Sequence, residues 1–288
     1  MSDYRSVFRE GLFRNQVVVV TGGGSGIGRC TAHELASLGA KVALIGRKRE
    51  KLDAVVAEIE EDGGEAKAWP LDIRVEEDVQ RTIAAVLGDF GQIDGLVNNA
   101  GGQFPAPLSQ ISQKGWEAVV RTNLTGGFLM SREVYTQWMA EHGGSIVNVA
   151  ADMWLGMPGM GHSGAARAGM INLTETSALE WSFSKVRVNA VAPGWIASSG
   201  MDSYGEGMQE TLRTMAEKVP LARLGTESEV SAAIAFLLSE AAAFISGTTL
   251  RIDGAAPNYK RIWELPEREP NDSFDGFHRA LKPKVFSS

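Results

Sequence analysis

The stretch that decides the fold is Gln16-Val17-Val18-Val19-Val20-Thr21-Gly22-Gly23-Gly24-Ser25-Gly26-Ile27-Gly28. Residues 16–21 form a short β-branched run without alternation, the pattern of a strand buried on both faces. Glycines stop the run. A helical pattern then extends over 27–38, and Gly39 follows as a candidate C-cap. A strand, a glycine-rich turn and a helix in this order aim free backbone N–H groups and the positive end of a helix dipole at one spot, where a pyrophosphate binds. A glycine-rich loop alone also fits a plain tight turn, and it is the flanking elements that favour the phosphate reading. Gly22, Gly24, Ser25, Gly26, Ile27 and Gly28 are therefore candidate phosphate-binding residues.

Outward from this loop, strand-like runs recur at 41–45, 66–71, 93–97, 145–149, 186–191 and 248–252. Helical patterns, such as 48–61, separate most of them. Alternation of this kind implies right-handed crossovers and a parallel sheet. The expected fold is α/β, a doubly wound parallel sheet in three α/β/α layers, as a single Rossmann-type domain over 1–255. No solenoid repeat or low-complexity linker interrupts it. The pattern breaks near Pro257, and 256–288 reads as an extension with spaced aromatics (Tyr259, Trp263, Phe274, Phe277) that packs on the domain or on a neighbouring subunit.

Composition sets the class. The 288 residues are 44% hydrophobic and 22% charged, the balance of a chain that buries a large core. The net charge of −7 argues against nucleic acid as a partner, because phosphate backbones are held by clustered Lys and Arg. Cys30 is the single cysteine, so no intramolecular disulfide can form, and the four histidines are scattered, so no metal site is expected. Residues 1–10 lack the apolar core of a signal peptide. No uncharged apolar run reaches the length of a membrane span. The terminal Val285-Phe286-Ser287-Ser288 is not a peroxisomal address. A cytoplasmic setting and a small-molecule substrate are the expectations.

The second strand runs into Gly46-Arg47-Lys48. An acidic residue there would bind the ribose 2′-hydroxyl of NAD, whereas an Arg accommodates a 2′-phosphate. Arg47 favours NADP(H), with a solvated basic turn as the alternative.

The spacing of the glycine loop resembles the short-chain dehydrogenase/reductase family. Further segments carry the same resemblance: Leu71-Asp72-Ile73 for the adenine pocket, Asn98-Asn99-Ala100-Gly101 after the fourth strand, Asn123 in Asn123-Leu124-Thr125-Gly126, Pro193-Gly194-Trp195-Ile196 with Ser198 for the loop that meets the carboxamide, and Arg251-Ile252-Asp253-Gly254 for the closing strand. The resemblance implies a seven-stranded sheet, usually a homotetramer, and cofactor contacts from Asp72, Ile73, Asn99, Ala100, Gly101, Pro193, Gly194, Ile196 and Ser198.

The family's catalytic set is Asn, Ser, Tyr and Lys. Here the Tyr position falls on Ser163, the Lys position on Arg167, and the Ser position on Ala150 or Ala151, leaving only Asn123. A phenol beside a cation can be tuned to take a proton near neutral pH. A serine hydroxyl is far too weak an acid, and a guanidinium does not release its proton. Arg167 can still provide positive potential and hydrogen bonds to the nicotinamide ribose. Such a site suits a reaction in which charge is stabilised more than a proton is abstracted, and reduction of a conjugated C=C in a thioester is one. Gly101-Gly102-Gln103-Phe104, Lys114-Gly115-Trp116 and 162–169 resemble the peroxisomal trans-2-enoyl-CoA reductase branch. The related 2,4-dienoyl-CoA reductases also put Ser at the Tyr position, but the compensating Tyr eleven residues earlier is Asp152 here. Bacterial citronellol/citronellal dehydrogenases of acyclic terpenoid catabolism are also similar. An enoyl-CoA thioester is the expected substrate, a terpenoid alcohol or aldehyde the alternative, and cofactor binding without catalysis a third possibility.

Each remaining candidate carries two readings. Ser163 is an oxyanion donor or a small residue at a crowded helix start. His162 is a proton source or a polar loop residue. Arg167 is a ribose ligand or half of a structural salt bridge. Asn123 shapes a helix and holds a water, or only shapes the helix. Asp152 is a relay acid or a solvated carboxylate, and Tyr204, in a lid over 201–208, is a swinging donor or lid packing. Gln103 and Trp154 are assigned to the substrate side. Met153, Trp154, Met157 and Met160 line an acyl pocket or fill the core.

Overall fold

The computed structural model describes residues 4–203, 206–259 and 264–286. Seven strands form one all-parallel sheet in the order β3-β2-β1-β4-β5-β6-β7. They are β1 (Val17–Thr21), β2 (Lys41–Gly46), β3 (Glu65–Pro70), β4 (Gly95–Asn98), β5 (Gly144–Val149), β6 (Val186–Pro193) and β7 (Thr249–Ile252). Helices α1 (Gly26–Ser37), α2 (Arg49–Glu61) and α3 (Glu76–Phe90) follow the first three strands. Strand order reverses between β1 and β4, so the carboxyl ends of these neighbours open a crevice, the usual ligand position of a doubly wound sheet.

The valine run of β1 is buried throughout because each face meets helices. Successive side chains point to opposite sides. Val18 and Val20 join Val42, Leu44, Leu35, Leu52 and Ile234 in one core layer, and Val19 joins Ile45, Leu96, Ile83 and Met130 in the other. A one-residue slip in register would exchange the two sets.

The crossover from β4 to β5 is one long bent helix. It begins as α4 (Gln113–Val120), capped by the Ser112 hydroxyl accepting from Gly115 N. It widens into a π turn over Arg121–Thr125, continues as α5 (Gly126–Val134), widens again over Tyr135–Met139 and ends as α6 (Ala140–His142). Asn123 lies inside the first wide turn, where the helix ladder loosens. After β5 comes α7 (Gly161–Glu180), then β6, a short turn over Ser199–Ser203, α8 (Glu206–Arg213) and α9 (Glu227–Leu238), which leads to β7. The reciprocal Thr226–Glu229 capping box starts α9. Among the described residues, no helix is long and apolar enough to cross a membrane.

The C-terminal segment lies against its own chain. Phe277 is buried against Tyr4 and Cys30, with the Arg29 guanidinium over its ring. Arg279 pairs with Glu61 and Asp62 of the α2 end. Thr226 Oγ1 donates to Phe274 O, and Lys284 N donates to Asp202 near α8. Of the aromatics spaced along this segment, Phe277 anchors a strap that crosses α1, α9 and the α8 region. Trp263 lies outside the described residues.

Phe277 is 3% exposed, so Phe277→Ala removes a full ring contact. The expected cost is about 3 kcal/mol, read as a lower denaturation midpoint with unchanged slope.

Candidate active site

One hydroxyl ties the strand that leads into the glycine loop to the turn after β4. Thr21 Oγ1, at the end of β1, donates to Val97 O (3.2 Å) and accepts from Asn99 N and Ala100 N (3.0 Å each). Asn99 Nδ2 donates to Thr21 O (3.0 Å), laying its amide under the glycine turn. A Cβ on Gly28 would lie 2.3 Å from Asn99 Nδ2 and 2.4 Å from Gly22 O, so only glycine fits. Gly22 adopts φ +67°, where a side chain is strained. Ser25 stands at the N-cap of α1 without a side-chain cap, and the first turn carries no acidic residue. Its N–H groups are thus left for an anion.

A cleft runs from this loop along the strand ends. Gly22, Gly24 and Ser25 line it after β1, Arg47, Lys48 and Lys51 after β2 and Asp72, Ile73 and Arg74 after β3 toward its outer end, and Ala100 and Gly101 after β4 at its inner end. The uncapped helix start and the glycine floor fit a dinucleotide. Asp72 is gripped by Arg74 through Nε and Nη2 (2.8 and 2.6 Å), and that bond holds its carboxyl below the usual range. Lys51 and Arg74 were not among the sequence candidates. Lys51 falls one helical turn after Arg47 and Arg74 two residues after Asp72, and that spacing was the available signal.

The four residues after Ala100 meet the candidate catalytic residues one by one. Gly101 faces Arg167, and a Cβ there would come within 2.5 Å of Nη2. Gly102 N donates to Asn123 Oδ1 (2.9 Å), and Asn123 Nδ2 donates to Gly102 O (2.8 Å). Ser163 Oγ donates to Gln103 Oε1 (2.6 Å). Phe104 stands edge-on to His162, with centroids 4.5 Å apart. His162 is fully buried in the first turn of α7, which replaces the polar-loop reading. Its Nδ1 accepts from Ser163 N (2.8 Å), and its Nε2 is buried without a partner.

Arg167 donates from Nη1 to Val149 O, and its buried Nε has no partner among the described residues. No ion pair holds it among the described residues, contrary to the structural salt-bridge reading. Burial pushes the guanidinium down to about 10, which still leaves it cationic at neutral pH. A half-buried cation with an under-satisfied Nε, beside Gly101 at the inner end of the cleft, is a group placed to meet a ligand.

Asp152 and Trp154 gather with the end of β7. Burial and the nearby Asp253 carboxylate raise the Asp152 carboxyl, and its Oδ1 is unpartnered. Arg251 pairs with Asp253 and lies 5.1 Å over the Trp154 ring. Asp152 N donates to Pro193 O (2.9 Å), tying this loop to the end of β6. There Gly194 packs on the Asp253 backbone, Ile196 bridges to Gly225 and is buried, and Ser198 O accepts from Met201 N. These four residues stand at the strand ends but do not line the cleft described above. Met160 is buried, whereas Met153 and Met157 are half-buried, with Met157 against Gly164. Tyr204 lies outside the described residues.

Sequence reading also missed Glu227. It is 7% exposed in the first turn of α9, and a Cβ on Gly26 would lie 3.8 Å from its Oε1. It accepts the Ser199 N–H, and burial raises its carboxyl to about 7 despite Arg29 nearby.

The arrangement is that of a nicotinamide-dinucleotide oxidoreductase. The family model described as Enoyl-(Acyl carrier protein) reductase matches residues 22–255. A citronellol catabolism dehydrogenase from Pseudomonas aeruginosa PAO1 is a structural neighbour at 60% identity and TM-score 0.80, covering 88% of this chain and 100% of its own. A probable 2,4-dienoyl-CoA reductase from Bacillus subtilis is 38% identical, over 83% of this chain and 95% of its own. A 3-oxoacyl-[acyl-carrier-protein] reductase from Synechocystis is 39% identical, over 83% and 96%. The chain belongs to the short-chain dehydrogenase/reductase family.

The raised Glu227 acid makes stability fall as pH rises. The group imposes no penalty below the unfolded value near 4.3; the penalty grows up to the folded value of about 7 and is complete above it. Chemical denaturation across pH should show Glu227→Gln gaining on wild type over that window, by up to about 3 kcal/mol at pH 8. A difference that stays flat with pH would contradict the raised value.

Proposed function

We propose that this chain is an NADP(H)-dependent reductase of the C=C bond of an enoyl thioester, probed most directly as an enoyl-CoA. The observation that carries the reading is the bonding of the catalytic positions. Among the described residues, neither the Ser163 hydroxyl nor the Arg167 guanidinium is hydrogen-bonded to a titratable side chain. The site holds donors and a fixed cation but no built acid/base pair. A bound NADPH would supply hydride. Arg167 would hold the nicotinamide ribose and keep positive potential beside it. The Asn123–Gly102 pair would fix the loop over the reacting carbons. Hydride addition at the β-carbon sends charge to the thioester oxygen, so stabilisation comes from donors, and the α-carbon can take its proton from water.

The choice of NADP(H) rests on Arg47, Lys48 and Lys51 at the outer end of the cleft, where a 2′-phosphate would sit. Asp72 is already satisfied by Arg74 there.

Similarity to the Pseudomonas dehydrogenase favours a second reading, a terpenoid alcohol or aldehyde dehydrogenase. Steady-state NADPH oxidation separates the two. Turnover of trans-2-enoyl-CoA supports the first, and turnover of citronellal alone supports the second. Binding without turnover leaves a cofactor-binding protein.

Two substitutions test the cofactor half. Arg47→Ala should weaken NADPH by about 10- to 100-fold and leave NADH nearly unchanged, since a charge-assisted bond is worth about 1.5–3 kcal/mol. Arg167→Ala should lower kcat/KM by about 100-fold or more. Unchanged NADPH affinity and turnover in the latter would remove Arg167 from the site.

A further inference from the structure

The enoyl-thioester reading leaves one question open, namely which side chain holds the oxygen that becomes negative. Ser163 stands at the position of the missing phenol, yet it is 0% exposed. A hydroxyl has one proton to donate, and that proton goes to Gln103 Oε1 at 2.6 Å. Gln103 is half-buried, so of the two it is the one a substrate can touch. Its carboxamide carries two N–H donors, enough for a neighbour and a substrate oxygen together.

We propose that Gln103 Nε2 is the oxyanion donor of this site and that Ser163 is a positioning residue that acts only through Gln103. The proposal rests on the reductase reading above. Three features support it. The Ser163 bond fixes the amide by its oxygen, and a carbonyl that accepts a strong bond polarises its own N–H groups. The backbone is held on both sides, by the reciprocal Asn123–Gly102 bonds before it and by the Phe104 ring against His162 after it. An amide prepared in this way spends little reorganisation when charge develops. Finally, a carboxamide donates without titrating, which matches a step that creates charge on oxygen without moving a proton there. Hydride adds to the β-carbon, the π pair shifts toward the carbonyl, and the enolate oxygen is bonded by Gln103 Nε2–H. The enolate then takes a proton from water at the α-carbon. A bound NADPH would supply the hydride and water the proton, leaving hydroxide to the solvent, so that the C=C bond is reduced.

A mutant cycle tests this assignment. Gln103→Glu keeps the acceptor for Ser163, loses both N–H donors and is nearly isosteric. It should lower kcat by about 100- to 1,000-fold with KM much less affected. Ser163→Ala should cost about tenfold, and in the Gln103→Ala background it should cost nothing further. NADPH affinity, read by fluorescence titration, should remain that of wild type in every variant, and melting temperatures report folding. Gln103→Asn, with a shorter amide, should retain part of the loss-free rate and guards against a misfolded Glu variant. Wild-type kcat in Gln103→Glu, or multiplicative losses from Ser163→Ala and Gln103→Ala, would overturn the assignment. Wild type is first assayed with trans-2-enoyl-CoA. Inactivity there with activity on citronellal sinks the reductase reading alone, and the same cycle on citronellal then judges Gln103. Inactivity on both overturns both.

Discussion

The contact between the Thr21 hydroxyl and the chain leaving β4 is the constraint on which the site depends. Thr21 accepts two backbone N–H groups, from Asn99 and Ala100, and returns its proton to Val97 O. Those bonds bring the end of β1 against the turn after β4, at the point where strand order reverses. The Asn99 amide is then pressed under the phosphate loop, so that Gly22 and Gly28 have no room for a Cβ. The glycines therefore answer to a close approach inside the protein as well as to a ligand. Everything downstream, from the cleft floor to the loop over the catalytic positions, takes its place from this junction.

From the junction the chain runs directly into the reactive end. Gly101, Gly102, Gln103 and Phe104 are spaced one residue apart, and each meets a different residue of the catalytic helices. At the position where the family carries a tunable phenol this chain has Ser163. Beside it, among the described residues, stand a half-buried guanidinium that remains charged and a hydroxyl committed to an amide. These groups fix potential and orientation. At the other end of the cleft, exposed cations surround an acid already paired to Arg74. Between the two lies the uncapped start of α1, with Glu227 beside Gly26. Burial keeps that carboxyl largely protonated below neutral pH, so it adds little repulsion toward an anion there.

Much of this was legible because the patterns are local. The valine run of β1, the glycine spacing and the alternating strands and helices each reflect a backbone requirement satisfied within a few residues, and the sheet follows them to within a residue or two at most ends. Arg47 and the departures at Ser163 and Arg167 could be read by position. Other features depend on pairs far apart in the chain. His162 read as a loop residue, because nothing near it in sequence shows that Phe104 and the start of α7 enclose it. Glu227 was missed in the sequence, where it stands as one acid among others; it opens α9 and lies against the start of α1, about two hundred residues away in the chain. The extension after Pro257 showed only its aromatics, and the anchoring of Phe277 depends on Tyr4, Cys30 and Arg29.

By itself the sequence determined the parallel α/β sheet, the phosphate loop and the loss of the usual acid/base residues, because hydrophobic period, glycine conformation and side-chain chemistry are properties of the chain read in order. Tertiary structure alone decided that Ser163 spends its proton on Gln103, that Arg167 is half-buried without an ion pair among the described residues, and that the tail straps across α1 and α9. Hydrogen-bond partners and desolvation are set by what surrounds a group in space, and for these residues the surroundings come from distant turns of the chain.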